Sequence, residues 1–155
     1  IRTSWLFSEY GNNFLKTILK ISKQRKSIDV ISDQIGCPTY AGHLAEVILK
    51  SLQQILDRNF DSGIYHYAGD SQCSWYQFAE EILSVAKSLG YLEKIPNMNE
   101  ISTKEFSAKA NRPNYSVLDS SKFCKAFDVN PSNWKESLPY VIKYAELAYK
   151  KNYRV

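Results

Sequence analysis

Residues 40 to 56 place Ala41, Leu44, Ala45, Ile48, Leu49 and Leu52 at spacings i, i+3, i+4, i+7, i+8 and i+11, the one-sided repeat of an amphipathic helix. Immediately upstream lies SIDVI, residues 27 to 31, a short β-rich run. The eight residues that join them, Ser32 to Thr39, hold a Gly, a Pro, a Cys and a carboxylate. A strand feeding a helix of this length constrains the fold more than anything else in the chain, because an apolar helical face needs a layer to lie on.

The alternation recurs. Ile1 to Phe7 reads as a strand, and residues 12 to 23 as a helix with Phe14, Leu15, Ile18 and Leu19 on one side. Thr39 is the expected N-cap of the helix over 40 to 56. A turn at Asp61, Ser62 and Gly63 precedes a strand over Ile64 to Ala68, which Gly69 and Asp70 end. Ser74 and Gln77 form a capping-box pattern ahead of Trp75, Phe78, Ala79, Ile82, Leu83 and Ala86, and Gly90 stops that helix. Residues 93 to 114, with Pro96 and Pro113, show no clear period. Tyr115 to Leu118 reads as a short strand, with Asp119 or Ser120 capping a short helix. A last helix over about 134 to 150 carries Leu138, Val141, Tyr144, Ala145 and Ala148, and Pro139 must start or kink it. Strands alternating with helices predict an α/β fold with parallel pairing, and 155 residues suffice for one core.

Composition narrows the function classes. A net charge of +4 with scattered Lys and Arg lacks the dense basic stripe of a nucleic-acid surface. Lys20, Lys23, Arg25 and Lys26 read as the solvated end of a helix. Cys37, Cys73 and Cys124 have neither an even number nor CxxC spacing, which argues for a reducing cytoplasm and against a disulfide framework or zinc site. Cys37 and Cys73 read as small buried hydrophobes. No apolar stretch has membrane-spanning length. The six glycines never fall at GxG or GxxG spacing, no Walker loop or GxSxG elbow is present, and none of the 11 Tyr is followed four residues later by Lys. Taken alone, the residues supply no catalytic centre.

Four segments in order nevertheless form a pattern: IRTSWLFSEYGNNFLKTIL, VISDQIGCPTYAGHLAEVIL, GIYHYAGDSQCSWYQFAEEIL and NRPNYSVLDSSKF. From Ile1 to about Leu147 they resemble the C-terminal half of the dTDP-4-dehydrorhamnose reductases, a branch of the extended short-chain dehydrogenase/reductase family. The resemblance implies the C-terminal part of a Rossmann-like NAD(P)-binding fold, intertwined with a small α/β substrate-binding domain. Residues of about 1–10 and 40–70 would complete the Rossmann sheet and helix, and about 11–39 and 71–155 would form the substrate-binding subdomain. It further implies a chain cut ahead of Ile1, with the Gly-rich loop and the Tyr-x-x-x-Lys pair upstream. The expected chain binds a nucleotide sugar, and neither nucleic acid nor a membrane. NADPH or NADH would be held mainly by the other half, with room for Mg2+ and a homodimer.

The resemblance also implies the site. Ser4 and Trp5 would end a strand at the cleft, where α/β folds bind ligands, with the Trp5 indole against a 6-deoxyhexose. The competing reading makes Trp5 a core residue capping the strand. Asp33 and Gln34 would bond sugar or nucleotide hydroxyls, or else brace the loop internally. Arg112 would pair with a substrate diphosphate or, equally, with a structural carboxylate. His43 stands where family members often have an acid, which weakens any role for that position and leaves a surface His as the default. The implied activity is NAD(P)H-dependent reduction of dTDP-4-dehydro-L-rhamnose. A non-catalytic binder of the methionine adenosyltransferase regulatory type, or another nucleotide-sugar reductase or epimerase, is the alternative.

Overall fold

A computed structural model describes residues 1–57, 62–106 and 112–152, with side chains as far as Ala145. The Asp61 turn residue, Asn111 and the Ala148 side chain lie outside that description. In chain order the elements are β1 (Leu6–Phe7), α1 (Phe14–Ser22), β2 (Ser27–Ile31), β3 (Ile35–Gly36), β4 (Thr39–Tyr40), α2 (Ala41–Asp57), β5 (Cys73–Ser74), α3 (Trp75–Ser88), β6 (Asn97–Ile101), α4 (Thr103–Phe106), α5 (Ser121–Phe127) and α6 (Trp134–Asn152).

The helices start where local chemistry allows. Asn13 accepts the Lys16 N–H at the head of α1, whose Leu15, Ile18 and Leu19 are buried. Ser74 and Gln77 close a reciprocal capping box on α3, which buries Phe78, Ala79, Ile82, Leu83 and Ala86. Gly90 follows with φ +71°, the left-handed residue that terminates a helix. At α5 the Asp119 carboxylate accepts the Ser121 N–H at 2.8 Å, while the Ser120 hydroxyl accepts the Ala68 N–H across the fold at 3.0 Å. Pro139 lies inside α6, not at its start, and has no N–H for the Lys135 carbonyl one turn earlier.

Parallel pairing is observed, as the strand–helix alternation requires. β2 and β6 run parallel in full register from Ser27–Asn97 to Ile31–Ile101. β6 went unread because Asn97, Met98, Asn99 and Glu100 are mostly poor strand formers. The cross-strand partners explain it: the Asn99 amide donates to Ser27 Oγ at 3.0 Å and to Asp29 Oδ1 at 2.8 Å. β1 pairs in parallel with β4, and Arg2 forms a single parallel bridge with His66. The expected strands over residues 1–7 and 64–68 are therefore paired but discontinuous. Trp5 is the cause at the first, since its φ of +48° breaks an extended run. Tyr115 likewise makes only one bridge, to Ile35, within the strand expected over Tyr115 to Leu118.

Two expectations about α2 fail. Thr39 does not cap it: its hydroxyl accepts the Gly69 N–H at 3.2 Å and donates to the Cys37 carbonyl at 3.3 Å, tying two loops together. Nor is the apolar stripe the buried one. α2 buries Val47 and Ser51, with Leu44 partly covered, whereas Ile48, Leu49, Leu52, Ile55 and Leu56 are exposed.

The core falls into two clusters. The larger joins α1, β2, α3 and α6 through Leu15, Ile28, Phe78, Ile82, Trp134 and Leu138. The smaller joins α2, residues 65–67 and α5 through Val47, Tyr65, Tyr67, Phe123 and Phe127.

Candidate functional site

The quoted loop and the chain's first residues converge. Trp5 stacks on Trp75 with ring centroids 3.5 Å apart and planes within 6°. Its Nε1–H donates to Ser116 Oγ at 3.2 Å, and that hydroxyl donates onward to the Ile35 carbonyl at 3.1 Å. Trp75 Nε1–H donates to Gln34 Oε1 at 3.2 Å, and Gln34 Nε2 donates to Thr103 Oγ1 at 3.1 Å. Gln34 is 3% exposed, so both halves of its amide are committed inside the protein. Trp5, Trp75, Gln34 and Ser116 thus form one aromatic and amide cluster just before β1 begins, between that strand and the Arg2–His66 bridge.

Gly36 makes the cluster possible. A Cβ there would stand 2.3 Å from Trp5 Cε2 and 2.5 Å from Nε1. The loop glycine is therefore needed for the close approach of the indole, not for an unusual backbone angle of its own. Strain sits instead on Trp5, a bulky residue in the left-handed region, which is common where a side chain is aimed by its surroundings. The Thr3 and Ser4 hydroxyls just before it are buried without a hydrogen-bond partner among the described residues.

Asp33 is exposed and points elsewhere. Its carboxylate accepts the Thr103 hydroxyl at 2.6 Å and the Thr103 N–H at 2.9 Å, capping α4 alongside the Ser102–Glu105 reciprocal pair. The Thr103 hydroxyl, and then its N–H, hold the Asp33 carboxyl below its ordinary 3.8. A carboxyl held lower in the folded chain stabilises it fully above about pH 4, and that contribution fades as pH falls through the depressed value. Replacing Asp33 by Asn should therefore lower the melting temperature at neutral pH, and the gap from the parent chain should close in acid. A constant gap across an acid titration followed by circular dichroism would contradict the cap.

Arg112 is exposed, in the loop that leads to Asn114, whose carbonyl accepts the Ile35 N–H at 2.8 Å. It thus lies on the chain segment flanking the cluster, without being part of it. Beside the cluster a shallow cleft of about 340 Å³ is lined by Ser32, Ile35, Tyr76, Glu80 and Glu100 among others. Its two carboxylates would repel a diphosphate, so an anionic nucleotide does not belong there. Burial pushes the Cys73 thiol up to about 12, in keeping with an inert, packed cysteine.

Trp75, Ser116 and Thr103 are the residues that sequence reasoning missed. Trp75 reads as one more member of a helical core face, yet as the residue directly after the Ser74 cap it sits at the helix's open end. Thr103 lies in the stretch without period, and Ser116 in an expected four-residue strand too short for spacing to mark it.

A parallel α/β assembly with a polar and aromatic cluster packed beside one strand belongs to the α/β class of domains. Comparison with known proteins makes this particular. Residues 1–147 match the RmlD substrate binding domain, and the chain belongs to that family. It is 42% identical over 147 residues to dTDP-4-dehydrorhamnose reductase of Aggregatibacter actinomycetemcomitans, covering 94% of this chain and 50% of the relative. Two solved dTDP-4-dehydrorhamnose reductases superpose well. The enzyme of Clostridium acetobutylicum gives a TM-score of 0.79 at 33% identity, covering 94% of this chain and 48% of the other. That of Bacillus anthracis, solved in complex with NADP, gives 0.78 at 36%, covering 92% and 47%. The chain thus spans about half the length of the relatives it matches, and the half is the C-terminal one. The fold is α/β, related to the Rossmann-like reductases. No described helix is long and apolar enough to cross a membrane.

Proposed function

We propose that this chain is the substrate-recognition portion of an NAD(P)H-dependent reductase that converts dTDP-4-dehydro-L-rhamnose to dTDP-L-rhamnose in the cytoplasm. The observation that carries the proposal is the meeting of RTSW and DQIGCPTY in one cluster, within a family match over residues 1–147. In this reading the free edge and remaining face of the Trp5 indole receive the C–H surface of the deoxysugar. The Ser4 hydroxyl is buried beside Trp5, so a part for it in sugar binding requires that the ligand open a path to it. Arg112 is free to meet the diphosphate. Gln34 and Asp33 act one step back: Gln34 fixes Trp75, against which Trp5 is stacked, and Asp33 fixes the start of α4. Residues of about 1–10 and 40–70 belong with the Rossmann sheet, and the remainder forms the substrate-binding subdomain.

The residues present do not fit the cofactor. None of the six glycines has the spacing that lets a strand-to-helix turn cradle a pyrophosphate, so NADPH or NADH falls to the other half. Among the described residues no three His, Cys, Asp or Glu side chains converge to hold a metal ion, so no role is assigned to Mg2+.

The test is a chimera that joins the N-terminal half of the Aggregatibacter reductase to this chain, assayed by NADPH consumption. It should reduce the ketosugar, whereas the 155-residue chain alone should not. Trp5→Ala in the chimera should lower kcat/KM by about 10- to 100-fold through the loss of indole–sugar contact, mainly in KM. An unaltered KM would remove Trp5 from the site, and turnover by the isolated chain would overturn the division of labour.

A further inference from the structure

The one polar atom in the Trp5 ring is already taken. An indole has a single heteroatom, Nε1, whose N–H can only donate. In Trp5 it donates to Ser116 Oγ at 3.2 Å. Ser116 is itself tied twice to one acceptor: its backbone N–H meets the Ile35 carbonyl at 2.8 Å, and its hydroxyl donates to the same oxygen at 3.1 Å. Because that hydroxyl spends its one proton on Ile35, it turns only lone pairs toward the indole. The Ile35 N–H bonds the Asn114 carbonyl at 2.8 Å, so the segment that carries Ser116 is held on both sides. The same corner of the ring is closed by backbone, since a Cβ on Gly36 would stand 2.5 Å from Nε1 and 2.3 Å from Cε2. Trp75 covers one face at 3.5 Å, yet Trp5 is only half-buried. Whatever part of the ring stays open therefore offers carbon, hydrogen and π-density, with no donor for an incoming hydroxyl.

We infer that Ser116 is a specificity-determining residue: by holding the Trp5 N–H, it makes the indole a donor-free wall that accepts the C6 methyl of a 6-deoxyhexose and rejects the 6-hydroxy sugar. The inference rests on the reading of Trp5 as the sugar-facing residue. The carbon of a 6-deoxyhexose that lacks oxygen is its most apolar point, and it suits such a wall. A hydroxyl in the same place would give up water and gain no partner, a loss worth about 10- to 100-fold in affinity. An indole N–H released from Ser116 would recover part of that loss by turning to the hydroxyl. Ser116 touches no ligand in this role and acts through the ring that it orients.

Two ligands that differ by one oxygen decide it: dTDP-L-rhamnose and dTDP-L-mannose, its 6-hydroxy counterpart. Calorimetry gives their dissociation constants on the chimera with the Aggregatibacter N-terminal half. The parent chimera should favour the rhamnose form at least about tenfold. Ser116→Ala should shrink that preference at least about fivefold, and Ser116→Thr, which keeps the oxygen, should retain it. In a Trp5→Phe background, where no N–H exists to release, adding Ser116→Ala should leave the preference as it stands. An undiminished preference in Ser116→Ala would overturn the inference. So would an equal weakening of both ligands, the result expected if Ser116 only supports the structure. A parent chimera that binds both sugars equally would sink the inference alone, whereas one that binds neither would bring down the functional reading and the inference with it. The 155-residue chain supplies an arm that needs no sugar. In its proton–nitrogen correlation spectrum the Trp5 indole N–H should exchange with water at least about tenfold more slowly than in Ser116→Ala. Equal rates would overturn the inference, and this arm holds whether or not the chimera folds.

Discussion

Trp134→Ala should cost about 4 kcal/mol, the middle of the range for removing a buried aromatic, and lower the melting temperature by roughly 8–16 °C. Trp134 opens α6 and is 1% exposed. Its ring meets Phe78 edge-on, with centroids 5.2 Å apart and planes at 83°. Its Nε1–H donates to the Ser71 carbonyl at 3.0 Å and lies 2.9 Å from the Ser71 hydroxyl. Its Cδ1 lies against Gly69, where a Cβ would stand 3.1 Å away. The alanine variant therefore loses transfer energy, leaves a cavity between α3 and α6, and strands an acceptor. Trp134→Phe keeps most of the volume and should cost only about 1–2 kcal/mol, chiefly the lost hydrogen bond. Thermal unfolding followed by circular dichroism checks both. A shift below about 3 °C for the alanine variant would mean that α6 does not anchor the core.

Gly36→Ala should cost about 2–3 kcal/mol and dismantle the candidate site. The added methyl would meet Trp5 Cε2 at 2.3 Å, and the indole cannot slide away because Trp75 is stacked on it at 3.5 Å. The backbone cannot yield freely either, since Gly36 and Ile35 of β3 pair antiparallel with Cys73 and Ser74 of β5. Either the indole leaves, breaking its bond to Ser116, or the β3–β5 pair opens. Near-ultraviolet circular dichroism reports the first outcome directly, because two stacked indoles couple strongly. The coupled signal should disappear in Gly36→Ala and in Trp5→Ala alike. In the double variant the clash has no target, so the two costs should fall short of additive by 1 kcal/mol or more. Strict additivity would show that Gly36 and Trp5 do not compete for the same space.

Elements governed by neighbours in sequence were legible without coordinates. The Ser74–Gln77 box and Gly90 bracket α3, and every residue of its expected face is buried or packed on the core. The β2 run and the α1 face were likewise readable, because a strand or a helical turn repeats within a few residues. β6 was not, since its Asn99 is satisfied by Ser27 and Asp29 some seventy residues away. Thr39 has the right residue type for a cap, but Gly69 competes for its hydroxyl and wins. For Asp33 and Gln34 the resemblance left two readings, bonds to a ligand or an internal brace of the loop. The structure spends both on Thr103 and Trp75, partners that lie in an aperiodic stretch and at a helix end.

By itself the sequence determined the α/β class, the positions of the main helices and the family, because periodicity, caps and ordered motifs are properties of adjacent residues. Only the tertiary structure decided that Trp5 stacks on Trp75, that Gly36 exists to admit the indole, and that the strongest apolar stripe of α2 faces outward. The physical reason is that burial and hydrogen-bond partnership depend on which distant segments arrive at a residue. A helical period reports that an apolar face will be covered, but not by what.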